Sequence, residues 1–254
     1  MMMKNKRLMM ILSLVLVLVV NGLANSLPIN GLTTGEISDR FPILFVPAGY
    51  VFSIWGLIYL ALIAFAIYTL TPKGKQNEDI DEIAWWFTAA NLFNTAWILL
   101  WHYLQFTLTL IPIFGLLISL VAIYLILGVG KRQRTWTEKL LIEVPFGIYL
   151  GWATVAVVAN VTQVLYFIGW RGGPFSEPVW AVIMLAIAAI LGVLMILWRK
   201  EIAYPLVLTW AFIGIWVAQA DTPVVAITAL ALGIALAVLA IGRRVVAYRQ
   251  TRSD

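Results

Sequence analysis

The stretch FVPAGYVFSIWGLIYLAL, Phe45 to Leu62, opens with turn residues and ends as an apolar helix. Pro47 and Gly49 form a hinge, and Tyr50, Phe52, Trp55 and Tyr59 follow it. A helix that only faces lipid needs Leu, Ile and Val. The aromatic run therefore asks for a second role, and which role depends on the kind of chain around it. Of the 254 residues, 63% are hydrophobic and 11% charged. A soluble domain carries roughly 25% charged residues, so this chain cannot cover a water-facing surface. It reads as an all-α, polytopic transmembrane helix bundle whose first partner is the lipid bilayer.

About 20 apolar residues cross a bilayer as a helix. Eight segments qualify: Leu8–Ala24, Pro47–Leu70, Ala84–Leu104, Leu108–Leu127, Leu141–Leu165, Val179–Trp198, Tyr204–Gln219 and Val224–Ile241. The seventh is short and depends on its flanks. With the N-terminus in the cytoplasm, all but two of the 17 Lys and Arg residues fall on the cytoplasmic side. The exceptions are Arg40 and Arg171. This split follows the positive-inside rule and puts both termini in the cytoplasm. It also explains the net charge of +5 as topology, leaving no case for nucleic acid as a partner. All-helical spans suit the plasma membrane of a prokaryote. The first segment has a basic start, an apolar run and small residues at Gly22 and Ala24. A cleaved signal peptide shares that pattern; the reading taken is a retained helix.

The chain has no cysteine and one histidine, which removes thiolate chemistry and multi-histidine metal sites. It shows no phosphate-binding glycine loop, no nucleophile elbow and no paired intramembrane carboxylates. No catalytic residue and no metal ligand is assigned. His102, near the outer end of the third span, reads as structural or interfacial rather than as an iron ligand. Glu143 precedes Pro145 at the start of the fifth span, where its charge favours the helix dipole.

Periodicity sorts the faces. In the second span Phe52, Trp55, Tyr59, Leu62 and Ala66 share one side. In the third, Asn91, Asn94, Trp97, Trp101 and His102 do so; in the fifth, Tyr149, Trp152, Ala153, Ala156, Asn160 and Gln163. Polar side chains in a membrane usually face the bundle interior, which turns the last two faces inward. Asn91 and Asn94 either meet a ligand or hydrogen-bond between helices. Trp55, Trp97, Trp101 and Trp152 either pack or touch a ligand. Trp85, Trp86, Trp136, Trp170, Trp180 and Trp198 lie near helix ends and read as an interfacial belt.

PAGYVFSIWGLIY resembles the proline–glycine–aromatic start of the second helix in the TspO/MBR family, the tryptophan-rich sensory proteins related to the mitochondrial translocator protein. Pro47, Gly49, Phe52, Trp55 and Tyr59 match that pattern; Ala48 and Tyr50 stand where the family has proline and tryptophan, and Ile58 where it has leucine. The gap from Phe52 to Trp55 is one residue shorter. NTAWILLW, through Asn94 and Trp97, resembles the third-helix signature. VPFGIYLGWATVAVVAN resembles the fifth: Val144, Pro145, Ala153 and Thr154 match, Phe146, Tyr149 and Trp152 are substitutions, and Asn160 falls about one turn late. The resemblance covers Leu8–Leu165. It implies a five-helix domain over 1–168, with 169–254 as an additional three-helix segment and a basic tail, as in the family's longer members.

The resemblance also places the aromatic stripe of the second span inward. It implies a ligand-binding protein with Pro47, Tyr50, Phe52, Trp55, Tyr59, Asn94, Trp97, Trp101, Tyr149, Trp152, Ala153 and Asn160 around a flat lipophile. The ligand so implied is a tetrapyrrole such as protoporphyrin or haem, or a sterol; no cofactor is required. The hinge would let the outer loop, residues 25–46, fold over the bundle mouth. A secondary transporter of a small lipophile and a porphyrin-degrading enzyme are the competing readings. In the last span Ala229, Gly233 and Ala237 make a small-residue face that joins the added helices to the rest or joins two protomers as a homodimer.

Overall fold

A computed structural model describes the backbone of residues 2–27 and 29–253 and the side chains of 5–27 and 29–245. Lys4, Arg249 and Arg252, which entered the charge split, lie outside the described side chains. Most of the described residues are helical, with no strand among them. Eleven α-helices follow in order: α1 Met2–Ser26, α2 Thr34–Ser38, α3 Ile54–Leu70, α4 Pro72–Lys75, α5 Glu78–His102, α6 Phe106–Ile126, α7 Trp136–Glu138, α8 Val144–Phe167, α9 Glu177–Arg199, α10 Ala203–Ala218 and α11 Pro223–Ser253. Seven stretches are long and apolar enough to cross a membrane, and the 16-residue α10 makes the eighth of the expected set. The chain is an integral membrane protein.

Helix α8 is the hub. It packs against α3, α6 and α10, while α5 lies between α1 and α6. Three glycines show why α10 sits so close. A Cβ on Gly147 of α8 would come within 2.7 Å of Glu201 Oε1, and one on Gly151 within 3.0 Å of Tyr204 O. On α9, a Cβ on Gly192 would meet Leu236 and Leu208 side chains at 2.9 and 3.0 Å. The small face of α11 is used inside the chain: Ala229 is fully buried, and Gly233 O accepts from Thr209 Oγ1 of α10 at 3.3 Å.

The basic loops gather at one end of the bundle. Arg7 makes a two-pronged ion pair with Asp81, at 2.7 and 2.9 Å, and also donates to the carbonyls of Thr69 and Gly74. Arg132 and Arg134 both reach Asp79, and Arg134 pairs with Glu143 at 3.3 Å. Gly130, with φ of +72°, lies directly against the Arg199 carbonyl, where any Cβ would collide. So the N-terminal helix and the loops after α3, α6 and α9 share an end, as an alternating eight-span path requires. Glu143, read as a dipole partner, is 7% exposed; its partner here is Arg134. Trp85, Trp86, Trp136 and Trp198 are exposed, the position an interfacial belt needs.

The opening hinge has a mechanical explanation. Gly49–Ser53 forms a 3₁₀ turn that runs directly into α3. Its start is docked on α10: Ala48 N donates to Gly214 O at 3.1 Å, and Trp210 Nε1 donates to Val51 O at 3.2 Å. A Cβ on Gly214 would lie 2.2 Å from Val51 Cγ2. Glycine at 214 is what lets the hinge and α10 touch.

Candidate functional site

The site is built from two aromatic walls and a strap. On one side, Trp55 of α3 meets Trp152 of α8 edge-on with centroids 6.2 Å apart, and Phe52 meets Trp152 at 5.8 Å. On the other, Trp97 and Trp101 of α5 stack at 5.2 Å, one helical turn apart. Between them lies a cavity of about 50 Å³, lined by Pro47, Phe52, Trp55, Trp97, Trp101, Trp152 and Asn160 from the expected set. Thr34, Ser38, Val46, Val155, Ala156, Ala159 and Gln163 complete the lining. A water needs roughly 10–15 Å³ of such space, whereas a drug-sized ligand takes roughly 300–1,000 Å³. The cavity in this conformation is therefore closed down to the size of a few waters.

The other expected residues lie elsewhere. Asn94 accepts from Asn21 Nδ2 at 2.9 Å and donates to Tyr149 OH at 2.8 Å, linking α1, α5 and α8. Asn91 donates to Ser13 Oγ at 3.1 Å. These amides join helices, a contact usually worth about 0.6 kcal/mol in a membrane. Tyr59 stacks under Trp55 with centroids 5.5 Å apart, and Tyr149 meets Trp55 edge-on at 6.0 Å, so both back the aromatic wall. Tyr50 is 47% exposed and packs on Trp210. Ala153 is buried without lining the cavity.

Residues 29–38 cover one end of the cavity, and their anchor is His102. Nδ1 lies 3.1 Å from Ile29 O, and Nε2 lies 3.1 Å from Thr34 Oγ1. A carbonyl only accepts, so Nδ1 carries a proton, and in the neutral ring the Thr34 hydroxyl donates to Nε2. With both nitrogens engaged and the ring fully buried, His102 is a loop anchor. Asn30 Nδ2 donates to His102 O, and Trp101 Nε1 to Thr34 O. Helix α2 is closed by a capping box between Thr33 and Glu36. The Thr33 backbone and hydroxyl donors hold the Glu36 carboxyl below its ordinary pKa. The pattern TTGE is visible in the sequence as a helix start; that its helix would roof the tryptophans is not.

A second, larger space of about 550 Å³ lies between α3, α8 and α10. Its walls are aliphatic apart from Trp210 and Ser53, with exposed Leu57 and Leu206 at its rim. It lacks the amide donors found in the smaller cavity. No cluster of three or more metal-binding side chains occurs among the described residues.

Residues 7–242 match the family model described as TSPO-like protein, a match that runs through all eight long helices. No curated protein and no solved structure matches the chain.

Proposed function

We propose, from the premise that this chain belongs to the TSPO-like protein family, that it binds a flat lipophilic ligand of the tetrapyrrole or sterol class between α3, α5 and α8. The family supports a membrane ligand-binding protein in general. The observation that carries the finer reading is the pair of aromatic walls, Trp55–Trp152 and Trp97–Trp101, meeting under a strapped loop. Aromatic faces with a few placed polar groups suit such a ligand. The small cavity adds a condition: binding requires the 29–38 segment to lift or the tryptophans to part. The loop strap, made of a few hydrogen bonds to His102 and Trp101, is the element that can yield. Both termini lie on the cytoplasmic side in this reading, with the loop outside.

The test is a titration of detergent-purified protein with protoporphyrin IX, read by intrinsic tryptophan fluorescence. Saturable quenching at micromolar ligand is expected, weakened by Trp97→Leu or Trp152→Leu. Non-saturable quenching, or quenching untouched by both substitutions, removes the proposal.

A further inference from the structure

Three side chains lining the cavity carry N–H donors with no acceptor among the described residues: Trp152 Nε1, Asn160 Nδ2 and Gln163 Nε2. Their residues are 2%, 2% and 4% exposed. Buried polar groups are normally paired, and an unpaired one is costly enough to need a reason. The orientation of Asn160 is fixed by its neighbour. Trp97 Nε1 donates to Asn160 Oδ1 at 3.1 Å, and an indole can only donate, so the amide NH₂ is the end left over. Asn160 and Gln163 are one turn apart on α8, close enough for both to reach one oxygen with two lone pairs. Trp152 lies roughly 12 Å further along the axis, at 1.5 Å per residue, and serves a deeper atom.

The lining contains no Lys, Arg or His. A carboxylate held against these donors would be buried without a cation, which is strongly unfavourable, so the propionates of a porphyrin would have to stay outside this lining. A neutral acceptor satisfies the donors without that cost. Resting on the ligand-binding reading above, we infer that the occupant is a lipophile presenting a neutral carbonyl oxygen to Asn160 and Gln163.

Fluorenone and fluorene test this. They are flat tricycles that differ at one carbon, a carbonyl against a methylene; fluorene-9-carboxylate supplies the anionic arm. Binding to purified protein is measured by equilibrium dialysis, and the carbonyl stretch of bound fluorenone by infrared spectroscopy. Fluorenone is expected to bind about tenfold or more tightly than fluorene and than the carboxylate. Its stretch should move to lower wavenumber relative to fluorenone in empty micelles. Gln163→Met should remove most of the preference and much of the band shift, and so should Gln163→Glu, which replaces the donor by acceptors. Equal binding of fluorenone and fluorene would overturn the inference while leaving the pocket standing; the donors would then serve water. Tightest binding of the carboxylate would overturn it also. An unshifted carbonyl band in the unmodified protein overturns it even where the Gln163 variants do not fold. Failure of all three compounds to bind would overturn the inference, while the ligand-binding reading falls only with the protoporphyrin IX titration.

Discussion

Alanine 156 and alanine 153 are three positions apart on one helix, yet only Ala156 borders the cavity. Periodicity alone places both on the inward face, because an inward face of a central helix meets neighbours on several sides. The structure separates them, and a paired substitution exploits it. Ala153→Leu overfills a packed interior, which typically costs about 1–3 kcal/mol; porphyrin affinity should change little in whatever fraction folds. Ala156→Leu should lower thermal stability less and weaken protoporphyrin IX binding more. Thermal unfolding beside affinity for both variants checks this, and the reverse pattern would place the site on the Ala153 side. Gln163 illustrates the same limit from the other direction. It is a visible amide on that face, but that its N–H lacks a partner depends on which side chains surround it.

Glu201 is a second residue whose role is invisible in sequence. It looks like part of a solvated RKE turn. In the fold it is 8% exposed, and its carboxylate accepts the N–H groups of Ala203 and Tyr204 at 2.6 and 2.9 Å, capping α10. Burial, with a smaller contribution from the Glu143 charge, pushes its carboxyl from 4.5 up to about 7, against the lowering effect of those backbone donors. The folded protein thus keeps this proton to higher pH than the unfolded chain. Linkage makes the associated stability full below about 4.5 and lost as pH rises through about 7. Stability measured across that window should fall with rising pH, and Glu201→Gln should flatten the slope. An unchanged slope in Glu201→Gln would assign the titration to another group.

At the scale of elements, hydropathy made the long helices legible because each buries or exposes a nearly continuous apolar run. It could not reveal what holds the Pro47–Gly49 hinge. The sequence separation between Val51 and Gly214 spans most of the chain, and only the packing of α10 on α8 brings them together. Gly214→Ala tests that contact: Val51, itself fully buried, has to move. A loss of about 1–3 kcal/mol is expected from overpacking, with faster proteolysis between Phe41 and Phe52. A variant as stable and as protease-resistant as the parent would show that α10 does not grip the hinge. The five residues of α2 carry no periodicity; only the TTGE pattern marks its start, and nothing local shows where the helix docks.

At the scale of the molecule, the cation split and the fold agree on which loops share an end: Arg7, Arg132, Arg134 and Arg199 meet there through Asp79, Asp81 and the Gly130 turn. That end is expected to be cytoplasmic. Reporter fusions within 73–76 and within 35–40 should read as cytoplasmic and extracytoplasmic respectively, and the opposite result would invert the protein in the membrane. The match over 7–242 also means the last three helices fall within the family's own pattern. Of these, α10 supports the hinge, while the aromatic walls come from α3, α5 and α8.

On the proposed function, a flat ligand enters between those walls beneath the loop. Hydrogen–deuterium exchange on the purified protein, with and without saturating protoporphyrin IX, tests it most directly. Altered protection is expected in 29–46 and in the halves of α5 and α8 nearest that segment, with the turn at 71–77 unchanged. Changes confined to the groove between α3, α8 and α10, or none at saturating ligand, would contradict it.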